Sequence, residues 1–341
     1  MTVIDADAHV IETERTWEFM EESEIAFRPR VLVPKEGGSE EEFWLVDGRA
    51  FPRHTNVMRE APAGSREMAD VSARLAHMNE LGVDIQVLYP TIFLRPLTRQ
   101  IRMDAAISRS YNRWMAEIWR MGEERLLWAV IPPLLNMDKA IEELNFGKEH
   151  GAVSVFMRGV EAGRRLSDPY FYPLYEEASR LNLAMGVHSA NGSFDVFDAF
   201  NGDSGLSTFK LPVVGAFHDL IMKGVPAQFP DLRWAFVEVS SQWVPYVLHD
   251  MGIRLRKRDG AFVHSDVLRD NRIYVACQTD DDLAYVLEYT GEDNVILGTD
   301  YGHNDTASEI DALRQLKRDG KVAPSVVDKI LGDNAKAVYG L

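Results

Sequence analysis

The chain reads as an α/β protein folded as a (β/α)8 TIM barrel, and three observations predict it. Short apolar runs alternate with helix-length stretches along 341 residues, giving eight strands. No glycine-rich dinucleotide loop follows the first run, which argues against a doubly wound sheet. Three runs also end in similar polar chemistry: Asp5-Ala6-Asp7-Ala8-His9, Gly186-Val187-His188 and Gly298-Thr299-Asp300. A barrel brings the carboxyl ends of its strands to one mouth, so these three would meet there.

The elements follow in order. The opening run ending at His9 is the first strand. Residues 13 to 73 are charged and irregular, apart from a hairpin in which Glu42 to Val46 meets Arg49 to Pro52 across Asp47-Gly48. Helices at Ser72–Leu81, Met103–Gly122, Met137–His150 and Tyr172–Leu181 precede strands at Val83–Tyr89, Leu126–Ile131, Ala152–Met157 and Ala184–Val187. A long, partly helical insert from Asn191 to Pro230 leads to strand six at Leu232–Val237. The helical stretch Trp243–Leu268, the strand Arg272–Cys277, a helix at Asp281–Tyr289 and the strand Asn294–Leu297 complete eight units. The whole chain, 1–341, is expected to form a single domain with an N-terminal irregular insertion and a second insertion after strand five.

Composition narrows the function. A net charge of −16 disfavours nucleic acid and anionic membrane surfaces, because phosphate contacts need clustered Lys and Arg. No apolar stretch approaches about 20 residues, so no membrane span is expected. The N-terminus lacks the features of a secretory leader, which makes a cytoplasmic location the expectation. The single cysteine, Cys277, lies inside an apolar run and reads as a buried thiol.

Strict strand alternation places Asp5, Asp7 and His9 on one face. An acid and a histidine two residues apart can reach one ion, and ligands from distant strand ends would complete a mixed N/O site. Asp7, His9, His188 and Asp300 are the candidates, from strands one, five and eight. Asp300 could instead cap a following helix, and Asp5 is left out of the set. Glu238, costly to bury unpaired, reads as pocket lining. Arg158 at the end of strand four either pairs with a nearby acid or grips a substrate carboxylate. Tyr89 and Glu12 are placed at the mouth. His54, His77, His150, His218, His249 and His264 read as ordinary.

The ordered motifs Ile4-Asp5-Ala6-Asp7-Ala8-His9, Asp168-Pro169-Tyr170, Phe229-Pro230-Asp231-Leu232-Arg233, Gly298-Thr299-Asp300-Tyr301-Gly302-His303 and Ile330-Leu331-Gly332-Asp333-Asn334-Ala335 resemble the amidohydrolase-related superfamily. The resemblance covers nearly the whole chain and lies closest to the branch of metal-dependent aromatic-acid decarboxylases. It implies that Asp7, His9, His188 and Asp300 hold one divalent cation, with zinc the first expectation and manganese the alternative, and that no organic cofactor is needed. It implies a homodimer or higher homo-oligomer. Asp replaces the first histidine of many relatives, and strand six offers Glu238 where many carry a histidine. The expected activity is non-oxidative decarboxylation of an aromatic or enolisable carboxylic acid. Asp300, Glu238 and His303 would carry its proton chemistry, with Arg158, Tyr89 and Trp243 contacting substrate. The alternative is metal-dependent hydrolysis of an amide, lactone or carbon–carbon bond, which begins with the same Lewis acid.

Overall fold

The computed structural model describes residues 2–34, 42–53, 56–259, 263–304 and 307–341. Strand β1 (Ile4–His9) starts the barrel. A three-stranded antiparallel sheet follows, made of β2 (Arg30–Leu32), β3 (Phe43–Val46) and β4 (Arg49–Pro52). Its hairpin turns at Asp47-Gly48, whose φ values of 49° and 77° are those a tight two-residue hairpin requires. The short strand β2 is an addition that no alternating pattern announced.

The alternation then runs through α1 (Val71–Leu81), β5 (Ile85–Tyr89), α2 (Ile101–Met121), β6 (Leu126–Val130), α3 (Met137–Glu149) and β7 (Ala152–Arg158). A small ribbon, β8 (Val160–Glu161) with β9 (Arg164–Arg165), precedes α4 (Tyr172–Arg180) and β10 (Ala184–His188). The insert carries α5 (Phe194–Ala199), α6 (Leu211–Met222) and α7 (Val225–Gln228) before β11 (Trp234–Val237). Then come α8 (Trp243–Asp259), α9 (Val267–Asn271), β12 (Ile273–Cys277), α10 (Leu283–Thr290), β13 (Val295–Leu297), α11 (Ala312–Asp319), α12 (Pro324–Asp328) and α13 (Asn334–Tyr339).

Local chemistry sets these boundaries. Asp70, Asn136 and Asp282 cap α1, α3 and α10 by accepting a backbone N–H with their side chains. Gly82 ends α1 at φ 74°, a left-handed turn open to glycine at little cost.

Eight strands pair in the order β1-β5-β6-β7-β10-β11-β12-β13, parallel throughout. The seam between the two ends is drawn together by Asp300 N–H donating to the Asp7 carbonyl at 2.9 Å and His9 N–H to the Tyr301 carbonyl at 2.6 Å. The result is a nearly closed (β/α)8 TIM barrel whose strands, covered by helices outside and side chains inside, are apolar almost throughout. Tyr339 from the closing helix plugs the interior, its hydroxyl bonding the Ala6 carbonyl at 2.9 Å and the Tyr89 hydroxyl at 3.1 Å.

One expectation about β1 is corrected. The pairing with β5 shifts register between Asp5 and Ala8, so an extra residue interrupts the alternation. Asp5 therefore parts from Asp7 and His9. Its carboxylate accepts from Gln86 Nε2 at 2.9 Å, and Gln86 in turn accepts from Arg74 Nε of α1 at 2.7 Å. Thr299 adds its amide at 2.8 Å and its hydroxyl at 2.6 Å to the same carboxylate. Burial still pushes Asp5 up to about 6, against these bonds.

Candidate metal centre

Five side chains converge at the carboxyl ends of β1, β10, β11 and β13. His188 Nε2 lies 3.1 Å from His9 Nε2, 3.3 Å from Asp7 Oδ1 and 3.3 Å from Glu238 Oε2. His9 Nε2 lies 3.3 Å from Glu238 Oε2, 3.4 Å from Asp300 Oδ1 and 3.6 Å from Asp7 Oδ1. Two donors bound at about 2.1 Å to one tetrahedral ion stand about 3.4 Å apart, so these separations are those of ligands around a shared cation. All five residues are buried.

Both imidazoles are turned for the task. His9 Nδ1–H donates to the Pro90 carbonyl at 2.9 Å, which leaves the Nε2 lone pair facing the cluster. His188 Nδ1 faces the Ser189 carbonyl at 3.4 Å in the same sense. Burial, reinforced by the neighbouring His303 and His188, holds His9 well below the ordinary histidine range, so it is neutral and ready to ligate. Two overlapping groups, Asp7 with His9, His188 and Glu238, and His9 with Glu238, Asp300 and His303, each bring their donor atoms within 4.8 Å of one another, and imidazole nitrogens with carboxylate oxygens are a donor set that fits a divalent cation.

The backbone is forced to bring these groups in. Glu238 and Asp300, each just beyond a strand end, adopt φ 60° and 52°, a left-handed conformation uncommon outside glycine. Gly298 lets the chain press against β1, since a Cβ there would lie 2.3 Å from the Asp7 Cβ. Beneath the site the buried Arg74 guanidinium bonds the carbonyls of His9 and Ser65 and lies 3.5 Å from the Tyr301 ring centroid.

Asp300 reaches a second group. Its Oδ1 lies 2.8 Å from His303 Nδ1, and His303 Nε2 lies 2.9 Å from Thr91 Oγ1. The Thr91 hydroxyl spends its hydrogen on the Val10 carbonyl at 2.7 Å, so Nε2–H of His303 must be the donor. The contact with Asp300 then needs one proton more, on the carboxyl or on the imidazole. Glu12 braces this edge by accepting the Thr91 and Ile92 amides, both at 3.0 Å, and burial pushes its carboxyl up to about 7.

Asp7, His9, His188, Asp300, Glu238 and His303 are thus brought together, with Glu238, expected to carry a proton, at ligand distance from both imidazoles. The three expected substrate contacts have other partners. Arg158 is engaged by Glu161 at 2.6 Å and by the carbonyls of Phe93 and Arg95. Tyr89 is fully buried below the histidines, its hydroxyl turned toward Tyr339. Trp243 donates to the Ser240 carbonyl and packs on Phe217 and Phe236. Cys277 is buried as expected, and His54 lies outside the described residues. Thr91 and Arg74 escaped the sequence reading, because a threonine after a Tyr-Pro pair and an arginine in a helix carry no signal of their own.

The chain is similar to several known proteins. The chain is 24% identical over 293 residues to the 2-amino-3-carboxymuconate-6-semialdehyde decarboxylase of Dictyostelium discoideum, spanning 80% of this chain and 77% of the relative. It is similar in fold to an amidohydrolase from Mycobacterium avium subsp. paratuberculosis, with a TM-score of 0.80 at 19% identity over 100% of this chain and 98% of that one. It also resembles the 5-carboxyvanillate decarboxylase of Novosphingobium aromaticivorans, solved with manganese and 4-hydroxy-3-methoxy-5-nitrobenzoic acid, with a TM-score of 0.66 at 17% identity over 83% and 85% of the two chains. A family model described as amidohydrolase matches residues 4–341, and the chain belongs to that family.

Proposed function

We propose that this protein is a metal-dependent, non-oxidative decarboxylase of an aromatic or enolisable carboxylic acid. The observation that carries the reading is the proton demanded between Asp300 and His303, at the edge of a cluster built for a cation. A hydrolase needs a base in that place, whereas replacing a carboxylate by hydrogen needs an acid. Asp7, His9, His188 and Asp300 would hold one divalent ion, with Glu238 in reach. When bound, it would supply Lewis acidity toward the substrate carboxylate and a neighbouring hydroxyl. The manganese of the Novosphingobium relative supports loading manganese beside zinc.

In this reading the Asp300–His303 pair delivers its proton to the carbon that bears the carboxylate. That carbon's bond to the carboxyl group then breaks, its electron pair restores the ring or enol, and carbon dioxide leaves. Thr91 keeps His303 oriented with Nδ1 toward Asp300. The small-molecule partner is an aromatic carboxylic acid, and a cytoplasmic homo-oligomer completes the reading.

The test is incubation of zinc- or manganese-loaded protein with a panel of hydroxybenzoates, following carbon dioxide, beside a panel of esters, lactones and amides. Carbon dioxide release lost in His303→Gln with metal content retained is the expected result. Hydrolysis without carbon dioxide would transfer the site to the alternative chemistry, and silence on both panels would refute both.

A further inference from the structure

Next to the metal centre, at the mouth ends of β6 and β7, lies a cavity of about 230 Å3. It begins one strand away from the cluster. Arg158 stands opposite His188 in the β7–β10 register, and the Phe156 ring, which lines the cavity, lies 5.9 Å from the His188 ring. Its walls mix apolar side chains, Phe93, Ile131, Leu135 and Phe156 among them, with polar ones. Its roof is the insert that departs directly from His188. Phe194 of that insert is gripped by two guanidinium groups, Arg49 at 4.6 Å and Arg99 at 4.8 Å from the ring centroid. Arg49 and Arg99 also pair with Asp198 and Asp195, so the roof is tied to both the hairpin sheet and the loop after β5.

The polar groups define what the cavity would accept. The two arginines lining it, Arg158 and Arg99, are bound to Glu161 and Asp195, so it offers poor terms to a second carboxylate. Ser108 of α2 is 1% exposed, and its hydroxyl has no hydrogen-bond partner among the described residues. A buried hydroxyl left unmatched is costly, so a group that bonds it is favoured. One helical turn away, Asp104 also lines the cavity and accepts the Leu135 amide at 3.1 Å. Burial pushes Asp104 up to about 6 against the pull of that amide and of Arg158. Volume adds a limit, since an apolar cavity of roughly 150 Å3 admits benzene and this one is larger by about one substituent.

We propose that this cavity is the specificity subsite for the end of the substrate remote from its reacting carboxylate, and that it takes one uncharged aromatic ring bearing a hydroxyl, which Ser108 and Asp104 recognise. The assignment rests on the decarboxylase reading for the identity of the rest of the molecule. The cavity and its hydroxyl preference can be examined without turnover.

Metal-loaded protein would be titrated with 4-fluorophenol and with fluorobenzene, followed by 19F NMR, with a crystal soak to locate the ring. Saturable binding of 4-fluorophenol is expected, tighter than fluorobenzene. Ser108→Ala should weaken 4-fluorophenol roughly 2- to 10-fold, the worth of one hydrogen bond, and leave fluorobenzene unchanged. Leu135→Trp, at a half-buried wall position, should exclude both. Equal affinity for the two probes, a ring seated elsewhere, or binding indifferent to both substitutions would overturn the proposal. In an active enzyme, Leu135→Trp should lower kcat/KM at least 10-fold, and an unchanged value would overturn it equally. Ser108-dependent binding with no carbon dioxide release would uphold the cavity and remove only the reaction.

Discussion

Replacing Glu238 by Gln should act with opposite sign in metal-free and metal-loaded protein. The ligand atoms of Asp7 and Glu238, and those of Glu238 and Asp300, lie within 4.8 Å of one another. Two like charges at that distance repel by about 3.5 kcal/mol at an effective dielectric constant near 20, and Glu238 takes part in two such contacts. A carboxylate can escape at pH 7 by binding a proton, at about 3.7 kcal/mol for an ordinary glutamate, which caps the strain near that figure. Stripped of metal, Glu238→Gln should therefore gain about 2–4 kcal/mol, or roughly 3–6 °C in Tm for a chain of this size. With metal present the same change removes a ligand-distance oxygen and one unit of negative charge, so the metal-induced rise in Tm should shrink and the apparent metal affinity should fall. The assay is differential scanning calorimetry of wild type and variant, each after chelation and after reloading with zinc or manganese, alongside elemental analysis. A stripped variant less stable than stripped wild type, with an undiminished metal-induced shift, would refute the idea that these carboxylates share one cation.

Further perturbations address the supports. Arg74→Met removes a fully buried guanidinium from Gln86, His9 and Ser65, and should cost about 3–5 kcal/mol by urea unfolding. A change under 1 kcal/mol would show that the seam does not depend on it. Gly298→Ala drives a Cβ to 2.3 Å from the Asp7 Cβ, so purified protein should carry less metal than wild type, and full occupancy would contradict that contact. Glu12 titrates near 7 folded and near 4.5 unfolded, so its contribution is fully favourable below pH 4.5 and is lost as pH rises through 7, a change of roughly 3 kcal/mol. Glu12→Gln should flatten that part of the stability profile between pH 5 and 7.5, and an identical slope in the variant would reject it.

Periodicity made the barrel legible. Strands buried on both faces must be short continuous apolar runs, and helices must cover them, so eight units could be counted directly. The strand-end rule then pointed Asp7, His9, His188 and Asp300 toward one mouth from the sequence alone. What stayed hidden depends on contacts distant in sequence. Nothing local decides between the two readings of Arg158, or tells that Tyr89 turns its hydroxyl to a tyrosine 250 positions away or that Trp243 packs on Phe217 and Phe236. The β1 irregularity was invisible for another reason. Ile-Asp-Ala-Asp-Ala-His alternates so regularly that a bulge within it contradicts its own pattern, and only the pairing with β5 exposes it.

That extra residue would govern how much negative charge a cation at the mouth meets. An unbroken pleat would have turned a fourth carboxylate inward, and the ion would sit in a cage more anionic than its own charge could offset. With Asp5 diverted, the strand supplies one acid to the mouth and lends the other to the Thr299 amide, where it fastens the first strand to the last. If a cation binds there, a one-residue offset in backbone hydrogen bonding would set its Lewis acidity while leaving the ligands themselves unaltered.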